Sequence, residues 1–408
     1  MGFVTDKYKH TEVGIIPEDW EVYILGNLLN GIADVDHFMP KTEKYGVPYV
    51  MTGDLKDFVG DIDFDNCKKI SISDYEQLSK KVKNIKGDII LARYATIGTV
   101  SFVNVDFDFV VSYSCVTVKP DTSKLIDLFL YYYFKSSIFK LEVKNKVNAN
   151  IQDNVGIGDL LKMKIPLPPT KVEQTAIATA LSDADALISS LEKLIAKKRN
   201  IKQGAMQQLL IPKNSWQEKR LEETVLLIRS GGTPNSSIKE YYNGSIPFLS
   251  IGDMTEQGKY LTHTSNSISQ EGIENSASWL VESGSIIYSM YASVGFVSIT
   301  QIPLSISQAV LCLKFKREYS NEFMYYMLSN MQQSVMKYVG EGTQKNLNAQ
   351  TVKNFIIKVP SLMEQENIAD VLKSMDEELE KLKLKLRKLN EIKQGMMQEL
   401  LTGKTRLI

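Results

Sequence analysis

Two stretches of the chain repeat apolar residues at alternating intervals of four and three positions. The apolar positions are Ile177, Leu181, Ala184, Ile188, Leu191 and Ile195 in the first stretch and Ile368, Leu372, Met375, Leu379, Leu382, Leu386 and Leu389 in the second. Charged residues such as Lys197 and Glu380 lie between them. This spacing puts one apolar seam on a supercoiling helix and leaves the opposite face to water. The sequence therefore predicts two long helices with matching seams.

The two stretches belong to an internal repeat with an offset of 191 residues. The decapeptide IKQGAMQQLL begins at Ile201, IKQGMMQELL begins at Ile392, and the ungapped match aligns residues 173–213 with residues 364–404. Upstream of each helix, GDIILARYATIGTVSFV parallels GSIIYSMYASVGFVSIT. Because a repeat defines architecture before local structure does, we predict a tandem duplication of a globular domain followed by a long helix.

The globular parts contain short β-branched and aromatic runs bounded by glycine, which are typical of strands. A helix is predicted to carry the paired tyrosines of LFLYYYF and EFMYYML. Proline-rich segments, KIPLPPTKVEQ and IIKVPSLMEQ, precede the long helices and cannot continue them backwards. About 38 residues at ~1.5 Å per residue give each helix a length of roughly 55 to 60 Å. We predict an α+β fold in which a mixed α/β domain is duplicated and the two helices pair as an antiparallel coiled coil with pseudo-two-fold symmetry.

Domain boundaries follow from the repeat and the prolines. The predicted parts are a first domain over 1–165, a central helix over 166–211, a second domain over 212–357 and a C-terminal helix over 358–408. Antiparallel pairing would bring the end of each helix near the start of the other, and the N-terminus beside the C-terminus. The pattern does not specify the order of strands in the sheets.

Composition narrows the class of protein. Hydrophobic residues make up 43% and charged residues 24% of the chain, as in a soluble globular protein with cores to bury. No apolar run approaches the ~18 residues that span a bilayer, and nothing at the N-terminus suggests secretion, so we expect a cytoplasmic protein. Cys67, Cys115 and Cys312 are far apart and are expected to be buried or incidental thiols. Basic and acidic residues balance at 48 each, which argues against non-specific coating of nucleic acid but leaves room for a DNA reader with a basic face.

The sequence predicts no catalytic site and no metal site. LPPT at Leu167 has the two prolines of an adenine-methyltransferase loop but lacks the acid or amide before them and the aromatic residue after, so we interpret it as a linker. TGKT from Thr402 resembles the tail of a phosphate-binding loop, but Gln398 stands where that motif needs glycine, and a helix C-cap at Gly403 is expected instead. The three histidines, His10, His37 and His263, are isolated in the sequence.

Four segments carry a family resemblance: TEVGIIPEDWEV, SGGTPNSSIKEYYNGSIPFLSIGDM, GTQKNLNAQTVKNFIIKVPSLMEQENIA and the repeated decapeptide. Through them the chain resembles the specificity subunits of type I restriction-modification systems. The resemblance extends over essentially the whole chain, including the duplication and the two helices. The resemblance implies two target recognition domains, each reading one half of a split double-stranded DNA target. It implies that the helices set the spacer between the halves and dock two methyltransferase subunits, which in turn support restriction endonuclease subunits.

The same resemblance implies that this subunit supplies only the DNA sequence specificity of the complex and has no catalytic activity of its own. The complex methylates adenine N6 and cleaves unmodified DNA with ATP, while S-adenosylmethionine, ATP and Mg are bound by the partner subunits. A protein–protein adaptor that never contacts DNA is the rival function.

Specific DNA reading needs Arg or Lys at guanine, Asn or Gln at adenine, and basic or hydroxyl groups on phosphates. The candidates in polar loops are Lys41, Lys44, Arg93, Tyr94 and Asn150 in the first domain and Arg229, Thr233, Lys239, Tyr291, Gln344, Lys345 and Asn346 in the second. Arg93 stands where the repeat has Met290, and a residue that differs between copies is a good candidate for a sequence-specific contact. Tyr94 and Tyr291 occupy matched places, so core packing is an alternative for both. A turn is the alternative for Asn150.

The repeated decapeptide supplies candidates for a partner surface. They are Gln203, Gly204, Met206, Gln394, Gly395 and Met397. A glycine inside a helix costs about 1 kcal/mol relative to alanine, so close approach of another helix would explain Gly204 and Gly395. A kink or local fraying is the alternative for the glycines, and core packing is the alternative for the methionines.

Overall fold

The computed structural model describes residues 7–146, 154–335 and 346–407. Contacts divide the chain into two compact units. Unit 1 comprises residues 1–192 and 385–408, and unit 2 comprises residues 193–384. The boundaries fall inside the two long helices, so each unit contains part of both helices, whereas the linear division at 165, 211 and 357 keeps each helix whole.

The strands of unit 1 are β1 Tyr8–Thr11, β2 Gly14–Pro17, β3 Glu21–Ile24, β4 Leu29–Ala33, β5 Val47–Val50, β6 Lys68–Ile70, β7 Ile89–Ala92, β8 Val100–Phe102, β9 Val110–Val111, β10 Cys115–Pro120 and β11 Lys164–Leu167. They form a four-stranded antiparallel sheet of order β4-β10-β7-β8, a three-stranded sheet of order β6-β5-β9 and two strand pairs, β1-β2 and β3-β11. Its helices are α1 Ile72–Ser79, α2 Asp127–Lys135, α3 Ser137–Asn145, α4 Ile157–Leu161 and the first part of α5 Lys171–Leu209. The paired tyrosines lie on α2, as predicted, and Tyr131, Tyr132 and Tyr133 are all fully buried.

Unit 2 repeats this plan with longer sheets. The strands are β12 Gln217–Arg220, β13 Val225–Ser230, β14 Tyr242–Leu249, β15 Tyr260–Leu261, β16 Asn266–Ile268, β17 Leu280–Val281, β18 Ile286–Ser289, β19 Val297–Thr300, β20 Leu304–Ile306, β21 Val310–Phe315 and β22 Ile356–Val359. A five-stranded sheet has the order β13-β21-β18-β19-β15, a four-stranded sheet has the order β16-β14-β20-β17, and β12 pairs with β22. The helices are α6 Leu221–Thr224, α7 Ile251–Gln257, α8 Gln270–Glu274, α9 Asn321–Val335, α10 Ala349–Lys353 and α11 Leu362–Leu400, with α11 continuing beyond the unit. The α+β duplication predicted from the repeat is confirmed.

The apolar seams of α5 and α11 are the buried stripes of these helices. All thirteen seam positions are buried or half-buried, and Ile177, Leu181 and Leu372 are completely buried. Each helix is 39 residues long and begins two residues after the last proline of its predicted proline-rich segment, Pro169 for α5 and Pro360 for α11. Because the charged residues between the seam positions are mostly exposed, burial of the seam rather than helix propensity stabilises these helices.

Ion pairs show that the two helices run antiparallel within each unit. In unit 1, Asp185 of α5 pairs with Lys393 of α11, and Glu173 of α5 pairs with Arg406, which lies six residues beyond the end of α11. In unit 2 the pairs are Lys198 with Glu378 and Lys202 with Asp376. In both units the partner number falls as the residue number rises, which is the order that antiparallel helices require.

A buried glutamine ties each long helix to the globular domain of its own unit. Gln174 and Gln365 are each 1% exposed, and their side-chain oxygens accept hydrogen bonds from the backbone N–H groups of Ile126 at 2.8 Å and Ser320 at 2.9 Å. Each side-chain nitrogen donates to a proline carbonyl in the segment that precedes its helix. These contacts account for the glutamine that the repeat keeps at both helix starts.

The segment after α11 packs on the N-terminal strands of unit 1. Leu401 is fully buried, and the Arg406 guanidinium donates two hydrogen bonds of 2.9 Å to Asp19 and two, of 2.5 and 2.9 Å, to Glu173. Gly403 has φ +71°, and a Cβ there would lie 2.5 Å from the ring of Pro17. Within unit 1 the two ends of the described chain therefore lie side by side, as antiparallel pairing predicts.

The three cysteines are free and buried, as expected from their spacing. No helix in the described part of the chain is long and apolar enough to cross a membrane. The same ranges contain no group of three or more His, Cys, Asp or Glu side chains that could hold a metal ion.

Candidate nucleic-acid interface

In unit 1, four polar segments gather at one edge of the central sheet. Strand β10 runs antiparallel to both β4 and β7, with Thr117 opposite Ala33 and Cys115 opposite Ala92. The ends of β4 and β7 and the start of β10 therefore share one edge, from which residues 34–46, 93–99 and 112–114 emerge. Residues 154–155 join them there, because the Val155 N–H donates to the Arg93 carbonyl at 3.3 Å. We call these four segments the loop edge of unit 1.

Unit 2 has an equivalent loop edge, formed by residues 231–241, 290–296, 307–309 and 346–347. Arg229 lies opposite Cys312 and Ser289 opposite Val310, as in the corresponding strands of unit 1. The main-chain hydrogen bonds also correspond. The Arg93 N–H donates to the Ser114 carbonyl at 2.9 Å, and the Met290 N–H donates to the Ala309 carbonyl at 2.9 Å. Two copies of one backbone framework thus carry different side chains.

The loop that follows β7 and β18 holds the same strained backbone in both units. Ala95 has φ 58° and Ala292 has φ 53°, in the left-handed region that side chains with a Cβ rarely adopt. Each alanine precedes a glycine that also has positive φ, Gly98 at 83° and Gly295 at 77°. A left-handed alanine costs of order 1 kcal/mol or more and persists only where the surroundings impose it, which occurs most often at functional sites.

Two glycines of the SGGTP motif allow the unit 2 loop to lie close to its neighbours. A Cβ on Gly231 would lie 1.8 Å from the Ile306 carbonyl oxygen, and a Cβ on Gly232 would lie 2.7 Å from the Cβ of Ala277. No larger residue fits at either position without moving the backbone. The motif therefore fixes the position of the next residue, Thr233, at the loop edge.

The structure brings most of the predicted DNA-contact residues to these two edges. In unit 1 the loop edge includes Lys41, Lys44 and Tyr94, of which the two lysines are exposed and the tyrosine is half-buried. In unit 2 the exposed residues are Thr233, Lys239 and Tyr291, Asn346 is half-buried, and Arg229 is exposed on β13 with its guanidinium 5.1 Å from the ring of Trp279. Asn150, Gln344 and Lys345 lie outside the described residues.

Arg93 occupies a different environment from the one that its difference from Met290 suggested. The residue is 6% exposed, and its guanidinium contacts Asp34 at 2.5 Å and donates to the Val155 carbonyl at 3.2 Å. Burial opposes ionisation of Asp34, but the hydrogen bond from Lys81 and the charge of Arg93 outweigh it, so the pKa of Asp34 lies below its ordinary value. Arg93 therefore ties three segments of the loop edge together, and its guanidinium is turned away from solvent.

Sequence reasoning missed a basic cleft beside this edge. Lys140 and Lys144 of α3 line a cavity of about 490 Å³ together with Gly98 and Thr99 of the loop edge. Both lysines are exposed, and their spacing of four residues places them on one face of a helix. That spacing was the only signal of the cleft in the sequence. The position of the loop that contains Gly98, next to the two lysines, is known only from the fold. Two exposed ammonium groups on one helix face are suited to phosphate.

The predicted partner-surface residues divide into two kinds. Gln203, Gln394 and Gly395 are exposed and Gly204 is half-buried, and a Cβ on either glycine would meet none of the described atoms within 4 Å. Met206 and Met397 are half-buried, and each packs against the hydrophobic core of its own unit. The helices continue through both glycines without interruption. The glutamines and glycines are therefore available to a partner, whereas the methionines belong largely to the two cores.

Comparison with known proteins places the chain in one family. The family model described as the type I restriction modification DNA specificity domain matches residues 17–203 and again residues 213–394. The chain therefore belongs to the family of type I restriction-modification DNA specificity domains, which it contains twice.

The chain is similar over nearly its full length to curated relatives. It is 29% identical to the putative type I restriction enzyme MjaX specificity subunit of Methanocaldococcus jannaschii, covering 98% of this chain and 97% of that protein. It is 26% identical to the type I restriction enzyme MjaVIII specificity subunit of the same organism, covering 96% and 94%. These similarities favour a specificity subunit over the adaptor alternative.

Solved structures share the fold. The type I restriction-modification S subunit from M. genitalium superposes with a TM-score of 0.58 at 18% identity, covering 97% of this chain and 99% of that one. A chain from a type I restriction-modification complex, studied for its assembly and conformational transition, superposes with a TM-score of 0.64 at 17% identity, covering 96% and 99%.

Proposed function

We propose that this chain is the DNA sequence-specificity subunit of a type I restriction-modification complex, and that each loop edge reads one half of a split target in double-stranded DNA. One observation carries the proposal. The two units repeat a backbone framework, down to the left-handed Ala95 and Ala292, while the exposed side chains on that framework differ. A duplicated framework with different side chains can read two different base sequences.

The division between phosphate contacts and base contacts supports this assignment. Lys41 and Lys44 on the unit 1 loop edge, and Lys140 and Lys144 in the cleft beside it, supply exposed positive charges that are suited to the DNA backbone. Polar side chains on the loops themselves are suited to base edges. The chain has no net charge, so this local arrangement, rather than overall charge, would attract DNA.

In this proposal the long helices set the number of unread bases and dock two methyltransferase subunits, and restriction endonuclease subunits join that assembly. The exposed faces around Gln203 and Gln394 lie in matching places of the repeat, which is suited to binding two copies of one partner. Catalysis, and the binding of S-adenosylmethionine, ATP and Mg, would reside in the partner subunits.

The test is a map of modified adenines in DNA from cells that carry this chain with its methyltransferase partner. The proposal expects a split target. Replacing residues 20–160 with another recognition domain should change one half of that target only, and inserting whole helical turns in both long helices should change the spacer. The proposal would be refuted if the complex bound no DNA, whatever its sequence, or if the domain replacement altered both halves of the target.

A further inference from the structure

Two pairs of facing side chains occupy equivalent positions on the two loop edges. The sheet register opposes Thr117 to Ala33 in unit 1 and Cys312 to Arg229 in unit 2. Counting four residues on from Ala33 and from Arg229 gives His37 and Thr233. Counting four residues back from Thr117 and from Cys312 gives Tyr113 and Gln308. His37 with Tyr113 therefore corresponds to Thr233 with Gln308.

The two residues of each pair contact one another, but through different chemistry. The rings of His37 and Tyr113 stack with centroids 4.8 Å apart and planes 24° from parallel. The Thr233 hydroxyl donates a hydrogen bond of 2.7 Å to the side-chain oxygen of Gln308. The His37 side chain is 60% exposed and both Thr233 and Gln308 are exposed, whereas Tyr113 is half-buried and packs against a core cluster beneath His37. One location thus holds an aromatic stack in unit 1 and an amide with a hydroxyl in unit 2.

We infer that these pairs are base-reading positions, His37 with Tyr113 for the half-site of unit 1 and Thr233 with Gln308 for the half-site of unit 2. The inference rests on the proposed function and adds to it the residues that discriminate between bases. The Gln174 and Gln365 anchors, which serve the fold, are buried and keep their chemistry between the copies. The two pairs lie on a shared backbone at the loop edges and differ in chemistry, and His37, Thr233 and Gln308 are exposed.

The Thr233 and Gln308 pair is suited to adenine. The hydrogen bond from Thr233 occupies one lone pair of the Gln308 side-chain oxygen and orients the amide. Gln308 is exposed, and an amide that offers its N–H groups and its second oxygen lone pair matches N7 and the N6 amino group of adenine in the major groove. Unit 1 cannot make this contact at the equivalent position, because His37 and Tyr113 offer an imidazole and a phenol. The two half-sites should therefore differ at the corresponding base pair.

The deciding experiment uses the chain in complex with its methyltransferase partner. Methylation rates are measured on duplexes in which every base pair of both half-sites is varied in turn. Gln308→Ala should reduce the preference at one base pair of one half-site by about 5- to 150-fold and leave the other half-site unchanged. A second variant, His37→Thr combined with Tyr113→Gln, should shift the preference at one base pair of the other half-site towards that of unit 2.

The chain offers a matched control for each variant. Gln301→Ala removes an exposed glutamine that follows β19 at the opposite edge of the same sheet, and Phe107→Gln removes an aromatic ring that is 46% exposed and lies at the edge of the unit 1 sheet opposite the loops. Both controls should keep the wild-type profile. An unchanged profile in Gln308→Ala, or an equal loss on every sequence, would overturn the inference. A wild-type complex that shows no split preference would refute the proposed function itself.

Discussion

The phenolic hydroxyl of Tyr132 donates a hydrogen bond of 2.8 Å to Asp185, and Tyr326 makes the same contact with Asp376 at 2.6 Å. In each unit a lysine from the other long helix completes the cluster, Lys393 in unit 1 and Lys202 in unit 2. Burial raises the pKa of both tyrosines, so their hydroxyls remain protonated donors. Each cluster joins a helix of the globular domain to both long helices, so it fixes the register of the helix pair.

Asp185→Asn should lower the free energy of unfolding by about 1–3 kcal/mol, because it leaves Lys393 without a charged partner in a poorly solvated place. The Asp185 and Lys393 side chains are only 16% and 13% exposed. Urea denaturation of single and double variants with Tyr132→Phe would measure the coupling. Glu378→Gln is the control, because the Lys198 and Glu378 side chains are 33% and 48% exposed and their pair should contribute under about 1 kcal/mol. Equal losses in both variants would contradict this prediction.

Arg406→Met should destabilise unit 1 by about 3–5 kcal/mol, because Glu173 is 1% exposed and would lose its cation. The hydrogen bond from Arg406 lowers the pKa of Asp19 below its ordinary 3.8, although burial opposes this shift. Asp19 therefore stabilises the fold at higher pH, and this contribution is lost as pH falls through the lowered pKa. The difference between wild type and variant, measured by denaturation from pH 7 downwards, should stay constant and then shrink below about pH 4.

Lys213→Met is the matched control for Arg406→Met. Lys213 pairs with Glu364 in unit 2, where Glu364 is the repeat counterpart of Glu173, but these side chains are 65% and 29% exposed. The substitution should change stability by no more than about 1 kcal/mol. A loss as large as that of Arg406→Met would show that burial does not set the difference.

Gly204→Ala and Gly395→Ala should each stabilise the isolated chain by up to about 1 kcal/mol, because a Cβ meets none of the described atoms within 4 Å at either helical position. If a partner helix packs closely against these glycines, the same variants should bind the methyltransferase subunit more weakly. Thermal unfolding and calorimetric titration measure the two effects. Gly403→Ala is the opposite control and should destabilise, because φ there is +71° and Pro17 blocks the Cβ. Unchanged partner affinity would leave the glycines without a docking role.

Lys140→Ala and Lys144→Ala should weaken binding of the complex to all DNA sequences about equally. If each lysine contacts one phosphate, the slope of log affinity against log salt should fall by about 0.9 per substitution. Lys86→Ala is the control, since Lys86 is an exposed lysine just before β7, at the opposite edge of the same sheet. A change confined to one DNA sequence would mean that these lysines read bases.

The helices could be predicted from the sequence because their information is local and occurs twice. The seam from Ile177 to Ile195 has a period that no strand shares, and the second copy repeats it. The sheets could not be predicted, since most strands have two to six residues and their pairings join distant segments, such as the parallel pair of Tyr49 with Val110. Short apolar runs carry no signal for such partners.

The candidate interface was predictable in part, because the polar composition of a loop is also local information. Polar loops between strands identified Lys41, Thr233 and Tyr291, and each of them lies at the loop edge of its own unit, where the strand ends meet. The burial of Arg93 was not predictable, since it depends on Asp34, which lies 59 positions earlier in the chain. The stacking of His37 on Tyr113 was not predictable from the sequence either, because it depends on the register of β4 with β10.

The division of the chain also bears on its synthesis. Unit 2 is continuous over residues 193–384, whereas the core of unit 1 includes Leu400 and Leu401 as well as Ile16 and Trp20. Domains fold as units while a ribosome adds about 5–20 residues per second. The N-terminal part of unit 1 is synthesised first, and its core therefore remains incomplete until unit 2 and the C-terminal end of the last helix have left the ribosome. During that interval the part of the unit 1 core that Leu400 and Leu401 complete stays unfilled.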